Sequence, residues 1–176
     1  MPVPPLVTKE QVREFLAEAF PTQTFSVIEF NHGWVCRPEL SPEQKTAGQG
    51  LGQTCYVLNK QTGVVTVHPS LHPWTIGETY DQAIETGQPV NGRQIYPKRR
   101  RATFQRLTES PETITYQVTV TSLDNPPGPP ETYQLTFNKQ TLKRDQRGPM
   151  DSLVISKAQW LRRRQQTWPT DGAIED

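Results

Sequence analysis

Apolar positions along this chain change their spacing at a few punctuated places, and each spacing predicts an element. Val12, Phe15, Leu16 and Ala19 recur at helical intervals and make one stripe. Thr8 stands three residues before Gln11, the capping-box spacing, and Val7 and Val12 are placed for a hydrophobic staple. Pro21 blocks continuation, so a helix is predicted over about residues 9–19. Phe25–Phe30 and Trp34–Arg37 then flank Asn31-His32-Gly33, a sequence that tolerates positive φ and reads as a tight hairpin. Pro38–Gly52 reads as a loop with Gly48, Gly50 and Gly52. A second hairpin joins Cys55–Leu58 to Val64–His68, with Gly63 set for the left-handed residue of a bulged turn. Pro69 and Pro73 end that strand. Ile76, Tyr80, Ala83 and Ile84 predict a short helix stopped at Gly87.

The second half is sparser in signals. Ile114, Tyr116, Val118 and Val120 alternate with Thr115, Gln117 and Thr119, the pattern of a half-buried strand, and Tyr133, Leu135 and Phe137 alternate likewise. The proline-rich stretch Asp124–Pro130 between them is a linking loop. Leu153-Val154-Ile155 reads as a short strand, and Ser156 as the cap of a final helix carrying Trp160 and Leu161. The predicted class is therefore α+β: an antiparallel sheet of β-hairpins packed by an N-terminal helix and a C-terminal helix. Residues 1–96 are expected to form one α+β unit, and residues 97–176 a further hairpin and helix sharing its core. The stretch Tyr56–Thr62 resembles Leu135–Thr141 through a common Asn-Lys-Gln-Thr turn. Internal duplication is one reading; polar turns of this kind also arise independently, and independent origin is the expectation.

Composition changes the picture in two respects. Only 33% of the 176 residues are apolar, and the 17 prolines account for part of the deficit, which points to many loops. Residues 1–90 carry five Lys/Arg against nine Asp/Glu, and residues 91–176 fourteen against nine, so surfaces of opposite sign are expected within a chain of net charge +1. The N-terminus lacks an export signal, the chain has no membrane-length apolar run, and two cysteines are too few for a disulfide framework, so a reduced cytoplasmic protein is expected.

Chemical constellations are thin. Cys36 with His32 or His68 could be written as a nucleophile and base, but Cys36 sits in a strand beside Trp34, where a small buried hydrophobe is the commoner role. His68 and His72 are four apart, yet Pro69 and Pro73 break the helix that would align them for zinc. Glycines 48, 50 and 52 lack the Gly-Lys-Ser/Thr of a phosphate loop. A small-molecule site around Cys36 and His68 is the weakest alternative. No catalytic residue, cofactor or metal is assigned. Lys98-Arg99-Arg100-Arg101 and Arg162-Arg163-Arg164 make nucleic-acid binding the main alternative to a protein partner. On a helix, though, the three consecutive arginines point in three directions.

Gly33-Trp34-Val35, the glycine loop at 48–52, the run Tyr56–Val65 with its Thr62-Gly63, and Tyr80 on a helix together resemble the YrhB-like immunity domain of bacterial polymorphic toxin systems. The resemblance covers residues 8–90; Asn59 stands where family members tend to have Asp, and Cys55 where proline is more usual. It implies a protein, not an enzyme, that protects its producer by occluding a cognate toxin. Trp34 is expected in the core. His72 and Trp74, and Trp168 beside Pro169, are expected in exposed loops, and with Arg99, Arg100 and Arg101 they are the candidate partner contacts.

Overall fold

A computed structural model describes residues 5–49 and 52–176; Gly50 of the expected glycine loop, like the first four residues, lies outside them. The chain divides into two compact units, one ending at Pro97 and one running Lys98–Asp176. The first contains α1 (Lys9–Ala19), β1 (Phe25–Glu29), β2 (Gly33–Pro38), α2 (Pro42–Thr46), β3 (Cys55–Asn59), β4 (Val65–His68), α3 (Pro73–Thr86) and β5 (Arg93–Tyr96). Its sheet runs β1-β2-β3-β4-β5 with antiparallel neighbours. The second contains β6 (Arg100–Glu109), β7 (Thr113–Ser122), β8 (Glu131–Asn138), α4 (Asp151–Gln165) and β9 (Asp171–Glu175), with sheet order β8-β7-β6-β9. The class is α+β, with antiparallel sheets and helices near both ends of the chain.

The number of layers in each unit follows from its strand pattern. Gly33–Cys36 is buried at every position, as a strand must be when both faces of its sheet are covered. On one face Trp34, Cys36, Leu58 and Val65 pack with Val12 and Leu16 of α1. On the other, Val35, Cys55 and Val57 pack with Ile76 and Tyr80 of α3. In β7, burial strictly alternates, so one face of that sheet is apolar and the other is threonine and glutamine. The apolar face, with Phe104, Ile114, Tyr116, Val118, Leu135 and Phe137, takes Met150, Val154, Ile155 and Ala158 from α4 and its flank. Each such fully buried Leu or Phe contributes about 1.5–3 kcal/mol of hydrophobic stabilisation.

The start of α1 carries the expected capping box between Thr8 and Gln11. The same device at Ser41 and Gln44 opens α2, inside the stretch expected to be loop. Gly87 ends α3 in the left-handed region at φ 66°. The strand expected at Leu153–Ile155 is instead helical: α4 starts at Asp151, because Val154, Ile155 and Ala158 are buried at helical spacing against the sheet. Strands β5, β6 and β9 went unpredicted. Each draws its place from partners distant in sequence, as when Ala102 pairs with both Val120 and Ile174.

The two Asn-Lys-Gln-Thr turns share one construction. Asn59 Oδ1 accepts the N–H groups of Gln61 and Thr62, both at 2.9 Å, and Asn138 Oδ1 accepts those of Gln140 and Thr141 at the same distance. Gly63 and Leu142 both adopt positive φ, 68° and 58°. Leu58 then pairs with Val65, and Phe137 with Arg144. Each lysine reaches back to the preceding hairpin. Lys60 N–H donates to His32 O at 3.1 Å and Lys139 N–H to Glu112 O at 2.7 Å. Lys60 Nζ donates to Glu29 Oε1 and Phe30 O, and Lys139 Nζ to Glu109 Oε1 and Ser110 O. The likeness continues to the ends of the following helices, where Gly87 and Gln166 are both left-handed C-caps. The helices nonetheless cover opposite faces. Trp34 and Ile114 hold equivalent places after the first turn, but Trp34 faces α1, whereas Ile114 faces α4.

Lys139 supplies the hydrogen bond that chiefly holds the Glu109 carboxyl below its ordinary range, with further help from Arg106. A carboxyl with a depressed folded pKa stabilises the fold above its unfolded pKa, and that contribution is lost as pH falls through the folded value. Lys139→Met is predicted to cost about 1–3 kcal/mol in urea unfolding. The Glu109 carboxyl should then titrate closer to the ordinary range in an NMR pH series; an unmoved titration contradicts the assignment.

Candidate functional site

The surface with the most exposed apolar area in the first unit lies where β4 hands over to α3. His68 ends β4, Leu71 N–H donates to Pro69 O at 2.8 Å, and His72 becomes the N-cap of α3 in an extended conformation. Its Nδ1 accepts the Trp74 N–H at 3.4 Å, so the imidazole closes the first turn. Pro73 follows at the first helical position, where its missing N–H costs nothing. Leu71 and Trp74 stand 56% and 55% exposed.

Trp74 is exposed but not loose. Its ring meets Phe30 edge to face with centroids 5.4 Å apart. Phe30 in turn lies on Gly77, where any Cβ would fall into the Phe30 ring. The turn that carries Phe30 is held by Asp81, a buried carboxylate of α3 that accepts the N–H groups of Asn31 at 2.8 Å and His32 at 2.9 Å. Next to it, Tyr80 Oη accepts from Asn59 Nδ2 at 2.8 Å, and a Cβ at Gly33 would press on Leu58 O, Val57 and the Tyr80 ring at 3.1–3.2 Å. Tyr80, Asp81, Gly33 and Asn59 therefore brace the anchor. Helix α3 carries Glu78 one turn beyond Trp74, Glu85 near its far end and no Lys or Arg, while Asp81 is buried against the Asn31–His32 turn. An aromatic and an aliphatic side chain thus stand exposed at an ordered helix start.

The six candidate contacts divide between the two units, His72 and Trp74 in the first and Trp168 with the three arginines in the second. His72 and Trp74 share this corner, with His72 acting as a cap. Trp168, expected to be exposed, is 5% exposed and packs against Phe137 with centroids 5.5 Å apart. The neighbouring Pro169 carbonyl accepts the Tyr116 hydroxyl, which pulls that segment onto the core. The arginines belong to the second unit. Arg99 pairs with Asp124 at 3.5 Å and Arg100 with Asp176 at 2.6 Å, leaving Arg101 exposed near the start of β6. Leu71, which sequence reasoning passed over, belongs to the anchor; its place between Pro69 and Pro73 was the available signal.

The groups considered for chemistry occupy positions that suppress it. Cys36 is fully buried, and burial pushes its thiol up to about 12, so it remains protonated at neutral pH. Cys55 is also buried, with its thiol raised by desolvation, and both cysteines are free. Burial lowers the His68 pKa, and Nε2 lies 2.8 Å from Thr66 Oγ1. No group of three or more His, Cys, Asp or Glu side chains suited to a metal ion occurs among the described residues. Nor, among them, is any helix long and apolar enough to cross a membrane.

Residues 8–88 match the family model described as Immunity protein 35-like domain. The match runs from the N-cap of α1 to just past the end of α3, and so contains the whole Leu71–Trp74 corner and its bracing. This segment is therefore similar to an immunity-protein domain, in line with the resemblance carried by Gly33-Trp34 and Thr62-Gly63. No curated protein and no solved structure matches the chain.

Two outcomes check this geometry. Iodoacetamide at pH 8 should leave Cys36 unmodified in the folded protein and alkylate it in urea, as read by peptide mass spectrometry; rapid native labelling contradicts the burial. Gly77→Ala should destabilise the fold by about 1–3 kcal/mol through overpacking against Phe30, and pairing it with Phe30→Ala should recover part of the loss.

Proposed function

We propose that this protein is an immunity-type binding protein that neutralises a cognate bacterial toxin in the cytoplasm of its producer by occluding the toxin's active surface. The observation that carries the reading is the family match over residues 8–88, where the exposed anchor also lies. The contact is led by Leu71 and Trp74, with Glu78 of α3 one turn beyond, against a basic surface of the toxin. A non-obligate interface of about 1,600 Å² accommodates a central aromatic anchor of this kind. The protein acts by excluding substrate, so it needs a rigid surface and no reacting group of its own. Charges on α3 accelerate encounter with a basic toxin surface, which makes association sensitive to salt.

Nucleic-acid binding through Lys98–Arg101 has less support. Two of those four cations are occupied, Arg99 by Asp124 and Arg100 by Asp176. A cluster divided in this way offers fewer free charges for phosphate neutralisation than its sequence suggests.

The test is co-expression with the toxin encoded beside the gene. The wild-type chain should restore growth, and Trp74→Ala should weaken binding by about 30-fold or more. The urea midpoint of that variant should hardly change, since the indole is mostly in solvent. Full-strength binding by Trp74→Ala moves the contact elsewhere; no binding by the wild-type chain sinks the proposal.

A further inference from the structure

We propose that the outward face of α4 is a docking site for an extended acidic segment of another protein. The face lies outside residues 8–88, and the inference goes beyond the blocking role without resting on it. Trp160 is 46% exposed on this face. Lys157 Nζ lies 4.4 Å from its ring centroid and Arg164 Cζ 4.7 Å, one brought from the turn before and one from the turn after. Arg162 Cζ lies 4.8 Å from the ring of the buried Trp168. The Trp160 indole thus holds two cations in fixed places on this face, which reduces the ordering cost when an anion binds them, while Arg162 is held on another flank of the helix.

The charge here is uncompensated. Between Asp151 and Asp171 the sequence has Lys157, Arg162, Arg163 and Arg164 and no carboxylate. No carboxylate pairs with any of these four among the described residues, whereas Arg99, Arg100, Arg106, Lys139 and Arg144 of the same unit each have one. Asp151 itself is buried; it accepts the Gly148 N–H and lies 3.7 Å from Arg144. A helix C-terminus favours cations, which explains their position but not the exposed indole between them.

Carboxylates fit this face better than bases. With Lys157 and Arg164 both held close to the Trp160 ring centroid, 4.4 and 4.7 Å away, a base stacking there competes with them for the ring. A carboxylate meets the cations where they already stand. Lys157 and Arg164 are seven residues apart, about 10 Å along a helix axis. Their charged groups converge on one ring centroid, so acidic side chains at positions i and i+2 of an extended chain, which share a face about 7 Å apart, reach both cations. Gln159, Arg162, Arg163 and Gln166 line an adjoining groove of ≈ 320 Å³, where further donors meet the segment's backbone.

The experiment uses the full chain and a fluorescent octaglutamate peptide, with an oligothymidylate of equal length as the competing probe. Saturable binding of octaglutamate is expected, with a shift of the Trp160 indole N–H signal in NMR. Lys157→Glu with Arg164→Glu should weaken it at least tenfold and Trp160→Ala several-fold. Lys98→Glu with Arg101→Glu, which makes the same change in net charge elsewhere, should leave it within twofold. Equal losses in both charge reversals reduce the effect to bulk charge and overturn the proposal. Tighter binding of the oligothymidylate with the same loss pattern makes the face a nucleic-acid site, and salt-sensitive self-association that removes octaglutamate binding makes a second copy its occupant; either result also overturns it.

Discussion

In each sheet of this protein a lysine ammonium ties one turn to the turn of the hairpin before it. Lys60 and Lys139 follow an asparagine whose side chain has already fixed the turn, so the lysine leaves the turn in one direction. There it donates to a glutamate and to a backbone carbonyl. Both side chains are mostly buried, 19% and 16% exposed, and a buried ammonium tolerates few alternative arrangements. A one-residue slip of a strand exchanges its two faces. A charged clamp between consecutive turns therefore selects the register on which both cores rely.

Given that register, the strand composition decides how many helices each sheet can bind. In the first unit, Trp34 and Val35 are neighbours in sequence and point to opposite faces, and both are apolar. Two helices are required, and α1 and α3 supply them. In the second unit the corresponding neighbours are Ile114 and Thr115. Only the face of Ile114 is apolar, and α4 packs there, although it follows the turn at the same interval as α3. The helix goes where apolar area is available, and chain order does not override that.

The two units also differ in what they present to a partner. Helix α3 shows an aromatic ring braced by Phe30 on a helix without Lys or Arg, while α4 shows an aromatic ring contacted by two cations. In both, the indole is exposed but restrained, so its contact area is available without a large ordering penalty. The segment that matches the immunity-protein family contains the first of these surfaces and the bracing behind it. Gly33 and Tyr80 therefore serve the surface through the rigidity of the turn on which Phe30 rides.

The local elements were legible because their causes are local. The capping box at Thr8, the hairpin at Asn31–Gly33, the left-handed residue at Gly63 and the stop at Gly87 all involve groups a few residues apart. The alternation at Ile114–Val120 likewise announced a sheet with one covered face. Apart from the short helix α2, whose capping box is local, what failed were assignments that depend on distant partners. Leu153-Val154-Ile155 is β-branched enough to read as a strand, but the face of β7 and β8 selects helix by burying Val154, Ile155 and Ala158 together. Strands β5, β6 and β9 exist through pairing with residues elsewhere in their units. Trp168 beside a proline looked exposed until the Tyr116 hydroxyl and Phe137 ring fixed it inside. Arginines 99–101 looked like one cluster until Asp124 and Asp176 divided it. Sequence alone determined which stretches turn, start and stop, because short-range hydrogen bonding and sterics set those. Tertiary structure decided which surfaces remain free, because exposure and charge compensation are properties of neighbours that the chain brings from far away.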